Sequence, residues 1–138
     1  MRTVVSTPAA FDPISVGEVR RWLNMVAGIT EENEVVRALI NQVNGYIHGF
    51  TNRYISTQTV VVYLDADEIQ STIHLPCVPL VSVSSIVTTD DDGTDTTVNA
   101  TNYQVRAGEN PRITSTQSGS WPTDARSYDS MAITCTVG

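Results

Sequence analysis

Lysine is absent: all eight basic residues of this 138-residue chain are arginine. A phosphate-cradling P-loop needs its lysine, and the glycines here are scattered, so nucleotide chemistry of that kind is excluded. Charge of any sign is scarce, at 17% of residues against roughly 25% in ordinary soluble domains. What charge there is leans acidic, 15 acids against 8 bases for a net −7, which excludes a sequence-independent grip on a nucleic-acid backbone. No apolar run approaches the roughly 18 residues of a membrane span, and Met1 to Val5 lack the apolar stretch of a secretory signal. The expected setting is the cytoplasm, with no membrane partner. Cysteine is nearly absent. Cys77 and Cys135 have no neighbouring cysteine or histidine at ligand spacing, so no zinc site is expected and both are expected to be reduced and buried.

The catalytic inventory is equally thin. His48 and His74 are isolated, and no serine or cysteine occupies a nucleophile elbow, so a hydrolytic triad has no starting point. Asp90, Asp91, Asp92 and Asp95 suggest a calcium loop until Gly93 is aligned with its invariant glycine. Thr88 then falls first and Asn99 last, where a carboxylate belongs, so a solvated turn is expected. Asn99-Ala100-Thr101 spells a glycosylation sequon that, without a secretory route, is chance. No catalytic residue, metal ligand or cofactor is expected.

What is present divides at Tyr54. The first part holds five acids and five arginines and is neutral; the rest holds ten acids and three arginines, so the whole −7 lies there. Of 30 Ser and Thr residues, 24 follow Tyr54, marking a change from helical to strand-forming composition. One domain of α+β class is expected, with antiparallel helices over about residues 12–54 packed on a mainly antiparallel sheet or small sandwich over 55–138.

Ser15-Val16-Gly17-Glu18 fits a capping box, and Val16, Val19, Leu23 and Val26 continue a helical stripe toward Gly28 as a left-handed cap. Thr30 reads as a second N-cap, with Glu31, Glu32 and Glu34 at the positive end of the helix dipole. The stripe Val36, Leu39, Ile40, Val43, Ile47, Phe50 carries this helix to about Asn52. No charged residue occurs from Ala38 to Asn52, and Ala38, Gly45 and Gly49 would let a second backbone approach, so burial on more than one side is expected. The covering is either the strand half or another subunit. The candidate subunit interface is Arg37, Ala38, Asn41, Gly45, His48, Gly49 and Arg53. Strands are expected over Thr57–Leu64, Thr72–Leu75, Val81–Thr89, Thr94–Val98, Tyr103–Arg106, Arg112–Thr114 and Ala132–Val137, with Asp90 to Gly93 as a hairpin turn and Thr114 to Ser120 as an exposed loop.

An ordered series of motifs adds to this. Tyr46-Ile47-His48-Gly49-Phe50-Thr51-Asn52-Arg53-Tyr54 runs into Thr57-Gln58-Thr59; Leu75-Pro76-Cys77-Val78-Pro79-Leu80-Val81-Ser82-Val83-Ser84-Ser85-Ile86, Tyr103-Gln104-Val105, Pro111-Arg112-Ile113 and Trp121-Pro122 follow. The series resembles the head-tail connector, or neck adaptor, family of tailed bacteriophages and gene transfer agents. There a helix closing on a "YTGR"-like element leads to a "QT" strand, an "LP..PL.SV.SI" strand pair, a "Y.V" strand, a "P.RI" segment and a "WP" loop. The resemblance covers about residues 12 to 138. Arg53 matches the arginine of "TGR", and Asn52 replaces its glycine, a change compatible with left-handed backbone because Asn also enters it. Trp121-Pro122 is expected to pack a sandwich edge. Family members often continue past the last strand into a helical tail that bears on the portal contact; this sequence stops at Gly138.

The resemblance implies a non-enzymatic virion protein, a ring of commonly twelve copies below the portal that continues the DNA conduit and receives the next neck or tail protein. DNA would pass without specific binding, along a candidate acidic channel face of Asp65, Asp67, Asp90, Asp91, Asp92 and Asp95. A head-closure or tail-terminator protein is one alternative. A small carbohydrate-binding β domain using Trp121, Tyr63, Tyr103 and Tyr128 is another.

Overall fold

The computed structural model describes residues 1–26, 31–116, 121–122 and 125–138. Eight strands and two helices follow in the order β1 (Arg2–Thr7), α1 (Val16–Trp22), α2 (Asn33–Thr51), β2 (Gln58–Leu64), β3 (Thr72–His74), β4 (Leu80–Thr89), β5 (Asp95–Thr97), β6 (Tyr103–Arg106), β7 (Arg112–Ser115) and β8 (Met131–Val137). Short 3₁₀ turns occupy Ala66–Glu68 and Ala100–Asn102.

Two antiparallel sheets form, a five-stranded one in the order β1-β2-β8-β4-β5 and a three-stranded one in the order β3-β7-β6. Alternation drives the packing. In β2, Val60, Val62 and Leu64 are buried; in β8, Met131, Ile133, Cys135 and Val137 are; these side chains share one face because strand neighbours point to opposite sides. Ile73 of β3 and Ile113 of β7 join the same core cluster, so both sheets contribute to one core. The class is α+β with more sheet than helix. The expected arrangement of helices packed on the sheet needs correction: Val36 and Ile40, the buried apolar residues of α2, are not part of that core cluster, and α2 packs chiefly on α1.

The capping box forms as its spacing requires. Ser15 Oγ accepts from the Glu18 amide at 3.2 Å; Glu18 Oε2 in turn accepts from the Ser15 amide at 2.9 Å and from the Ser15 hydroxyl at 2.8 Å, and these last two bonds hold the Glu18 carboxyl below its usual range. The helix is shorter than expected. Asn24 takes φ 51°, and the Met25 amide donates to the Arg20 carbonyl at 3.0 Å, a left-handed termination that leaves Leu23 and Val26 beyond the last turn. The expected caps Gly28 and Thr30 lie outside the described residues; α2 starts from Glu32 with no side-chain cap. At its far end Asn52 adopts φ 53° and ψ 34°, the left-handed geometry expected where "TGR" has glycine. The expected strands are present within a residue or two. Ser115, expected in an exposed loop, is a buried end of β7, and residues 117–120 are outside the described set.

Gly138 closes the far end of the sheet. Its φ is 109°, its amide donates to the Pro79 carbonyl at 3.2 Å, and a Cβ there would lie 2.3 Å from the Ser56 carbonyl oxygen. Gly138→Ala is therefore expected to cost about 1–3 kcal/mol, because the backbone conformation excludes L side chains and the contact atom is backbone. Urea titration checks this. An unchanged midpoint would mean that the terminal glycine rearranges freely.

Candidate assembly surface

Among the described residues, the strand half does not cover α2. Of its apolar stripe only Val36 and Ile40, 3% and 5% exposed, are buried. Val35, Leu39, Val43, Tyr46 and Phe50 are exposed, Phe50 by 82%. At 100° per residue these five fall within an arc of about 80° beside the buried pair, one continuous apolar strip along the helix. Phe11, Trp22, Leu23 and Val26 are exposed as well. Single exposed apolar residues are ordinary; a contiguous set this large marks a surface that another body covers. Of the two coverings open to the sequence, the described residues of the chain do not supply one.

The polar side of α2 faces a different environment. Asn41, Gly45, His48 and Arg53, four of the seven expected interface residues, line a cleft of about 320 Å³ against Pro8 and Asp12 of the segment after β1. Two of the four already have internal work. His48 Nδ1 donates to the Arg53 carbonyl at 3.1 Å, and its ring lies 4.4 Å from that of Tyr54, so His48 fastens the helix C-terminus. Arg53 makes a two-pronged ion pair with Glu109, its Nη2 2.7 Å from Oε1, tying the helix end to the loop after β6. The pair is solvent-exposed, so water and salt screen it and its weight in stability is small. Arg37, Ala38 and Gly49 are exposed. A Cβ on Gly45 or Gly49 would meet nothing within 4 Å, so whatever these glycines admit is not part of this chain's described residues. The residues sequence reasoning passed over are Val35 and Tyr46, which the helical arc joins to Leu39, Val43 and Phe50.

The six candidate channel acids converge on one end of the five-stranded sheet. Leu64, Met131, Thr88 and Thr96 form a row across β2, β8, β4 and β5. Asp65, Asp90 and Asp95 lie just beyond that row, on strands spanning about 14 Å at about 4.8 Å per strand. Three of the six are structural. Asp65 Oδ1 accepts from the Asp129 amide at 2.7 Å, Asp90 Oδ1 from the Thr94 amide at 2.7 Å, and Asp95 Oδ1 from Thr89 Oγ1 at 2.7 Å. Asp67, Asp91 and Asp92 are exposed. Basic groups share this end: the N-terminal amine pairs with Glu68, lowering its carboxyl pKa, and Arg2 pairs with Asp129 at 2.9 Å. The C-terminus of α2 joins the sheet at the other end, where the Tyr54 amide donates to the Val78 carbonyl. The length of β2, about 20 Å, separates the two.

Other chemistries gain no geometry. Cys77 and Cys135 are buried free thiols, and the hydrogen bond between them together with burial pushes the Cys135 thiol up. Among the described residues no three His, Cys, Asp or Glu side chains cluster as metal ligands. The four aromatics considered for sugar binding do not form a platform: Trp121 is buried, Tyr103 packs against the core, Tyr63 lies under the Arg2 guanidinium at 4.6 Å, and Tyr128 is exposed beside Arg126.

No family model and no curated protein matches the sequence. Solved structures do share the fold. A chain from the neck of an empty gene transfer agent particle, computed with C6 symmetry, superposes with TM-score 0.86 at 20% identity over 100% of this chain and 71% of that one. A chain of the native gene transfer agent virion gives 0.84 at 20% identity, over 100% of this chain and 72% of that one. A chain of the native particle's neck, computed with C12 symmetry, gives 0.75 at 20% identity, over 100% and 70%. The chain thus has, along its whole length, the fold of gene transfer agent neck chains, which bears out at the level of fold the resemblance carried by its motifs.

Proposed function

We propose that this protein is a structural subunit of a virion neck, a head-tail connector that assembles as a ring beneath the portal, continues the DNA conduit and receives the next neck or tail protein. The observation that carries this is the bare apolar strip of α2 on a fold shared with neck chains. A helix with this surface needs a covering of about its own length, and a neighbouring copy supplies one. The C6 and C12 symmetry of the neck reconstructions that share the fold supports a cyclic arrangement, and a ring of twelve is the expected size. In that ring the acidic sheet end faces the channel, where like charge keeps DNA from adhering. Its activity is assembly, without catalysis or cofactor. The protein acts in the host cytoplasm until it joins the particle.

Native mass spectrometry of the protein, alone and mixed with the portal protein of the same particle, tests the reading. Twelve copies of 15.0 kDa make about 180 kDa. A species of that mass bound to portal is expected. A chain that stays monomeric in both samples contradicts the proposal, and binding to tail tube instead of portal would move the protein to the tail-terminator role.

The glycine face makes a second test. Gly45→Trp and Gly49→Trp are expected to block ring formation while leaving the monomer folded, since a Cβ meets nothing at either site and helix-interior glycine is itself unfavourable by about 1 kcal/mol. Normal rings from both variants would remove these residues from the interface.

A further inference from the structure

We propose that copies of the chain meet head to tail, the Phe50 ring of one entering the apolar groove between α1 and α2 of the next. The inference rests on the neck-ring reading and names the contact that builds the ring.

The groove holds about 230 Å³ and is walled by Ile14, Val19, Val36, Leu39, Ile40 and Val43, with Asn44 at its edge. A cavity of roughly 150 Å³ lined by aliphatic side chains accommodates a benzene ring. The groove therefore takes one phenyl ring with its methylene and little more. Phe50 is the fitting occupant. Its ring is 82% exposed and stacks on Tyr46, with centroids 6.4 Å apart and planes within 8°, so it is presented in a fixed pose at low entropic cost. Tyr46 keeps its hydroxyl at the wet rim, as aromatic interface residues do.

The ring cannot fill its own groove. Ile40 and Phe50 are ten residues apart on one rigid helix, about 15 Å along its axis. A knob and a hole at separate places on one chain make a heterologous contact, the kind that closes into rings when the rotation permits. Trp22 is also exposed, but it lies one helical turn from the groove wall residue Val19 on α1 and so flanks the groove of its own chain.

Charge selects a second copy as the occupant. No charged residue occurs from Ala38 to Asn52, and the −7 of each chain lies in the part after Tyr54, concentrated at the sheet end far from the helix terminus. Two copies can therefore join at α2 without bringing their acidic ends together. A basic partner would be drawn to the acidic end and away from this strip.

Phe50→Ala removes the knob and Leu39→Glu spoils the groove at an exposed wall, so neither change disturbs the fold. Each is expected to weaken self-association by about 30-fold or more, the effect of losing a central aromatic anchor or burying a charge in its pocket. Mixed in equal amounts they should form one-to-one dimers and no rings, because the intact knob of the Leu39→Glu chain still fits the intact groove of the Phe50→Ala chain, and the pair's remaining surfaces are both broken. Native mass spectrometry reads the species, and circular dichroism checks the fold. Wild-type rings alongside unimpaired variants, or folded variants that fail to pair when mixed, overturn this contact and leave the neck reading standing. A wild-type chain that is monomeric alone and with portal overturns both.

Discussion

Replacing Trp121 by alanine is expected to lower the unfolding free energy by about 3–5 kcal/mol, a large part of the 5–15 kcal/mol that holds a typical domain together. The indole is 6% exposed within the core cluster. Its Nε1 donates to the Gln70 carbonyl at 2.7 Å, two residues before β3, and its ring lies 6.4 Å from that of Tyr103, the first residue of β6. Since β3 and β6 are the two edges of the three-stranded sheet, one side chain ties both edges across β7. Truncation loses the packing, leaves a cavity and takes the donor from Gln70. Trp121→Phe should fall between: an aromatic ring remains, but the pyrrole half and the donor to Gln70 go, so a loss of about 1–3 kcal/mol is expected. Urea titration measures both. A loss below about 1 kcal/mol for Trp121→Ala would show that the two edges hold without the indole.

The strands around this core were legible because their signals are local. In β2 and β8 the β-branched and apolar composition marks strands, and the buried positions are every second residue, with Val61 and Tyr63, and Ala132, Thr134 and Thr136, between them. The turn at Asp90 to Gly93 announces itself, and Asn52 occupies the left-handed site that the motif reserves for glycine. β1 was not expected. Arg2 to Thr7 is an edge strand whose apolar pair, Val4 and Val5, is adjacent rather than alternating, and it forms by pairing with Val60 and Val61 from far along the chain. Local periodicity has no access to such pairing. The end of α1 was missed for a similar reason: the stripe continues through Leu23 and Val26, but Asn24 leaves helical backbone.

The candidate site was legible in outline and wrong in detail. A chargeless helix with small residues pointed to an uncovered surface, yet the polar and small-residue positions drew the attention. The strip that the structure leaves bare is Val35, Leu39, Val43, Tyr46 and Phe50. Sequence alone could not decide this, because amphipathic spacing gives the apolar arc without telling how much of it α1, with seven residues, can cover. Arg53 was unreadable as an internal fastener because its partner, Glu109, is 56 residues away. The gathering of six acids at one sheet end likewise depends on strand register across β2, β8, β4 and β5.

That gathering sets the last expectation. Asp67, Asp91 and Asp92 are exposed, whereas Asp65, Asp90 and Asp95 accept structural hydrogen bonds, so only the first three can be changed without loosening the sheet end. Asp67→Arg, Asp91→Arg and Asp92→Arg together add six charges, moving each chain from −7 to −1. For a ring of twelve, the expected size, the totals are twelve times −7, or −84, and twelve times −1, or −12. Stability should stay within about 0.5 kcal/mol per site, as at other exposed positions. The channel, however, would now carry 36 guanidinium groups, three on each of twelve copies, each able to pair with phosphate. Wild-type rings are expected to leave duplex DNA unbound. Variant rings should bind it at 50 mM salt and lose roughly 10³-fold or more of that affinity by 200 mM, the counterion-release signature of six or more phosphate contacts. Particles assembled with the variant should release DNA more slowly, because each phosphate passing the ring meets a partner it must leave. Normal release kinetics from particles with variant rings would mean that these acids face away from the channel, and the −7 would then act only to keep free subunits soluble before assembly.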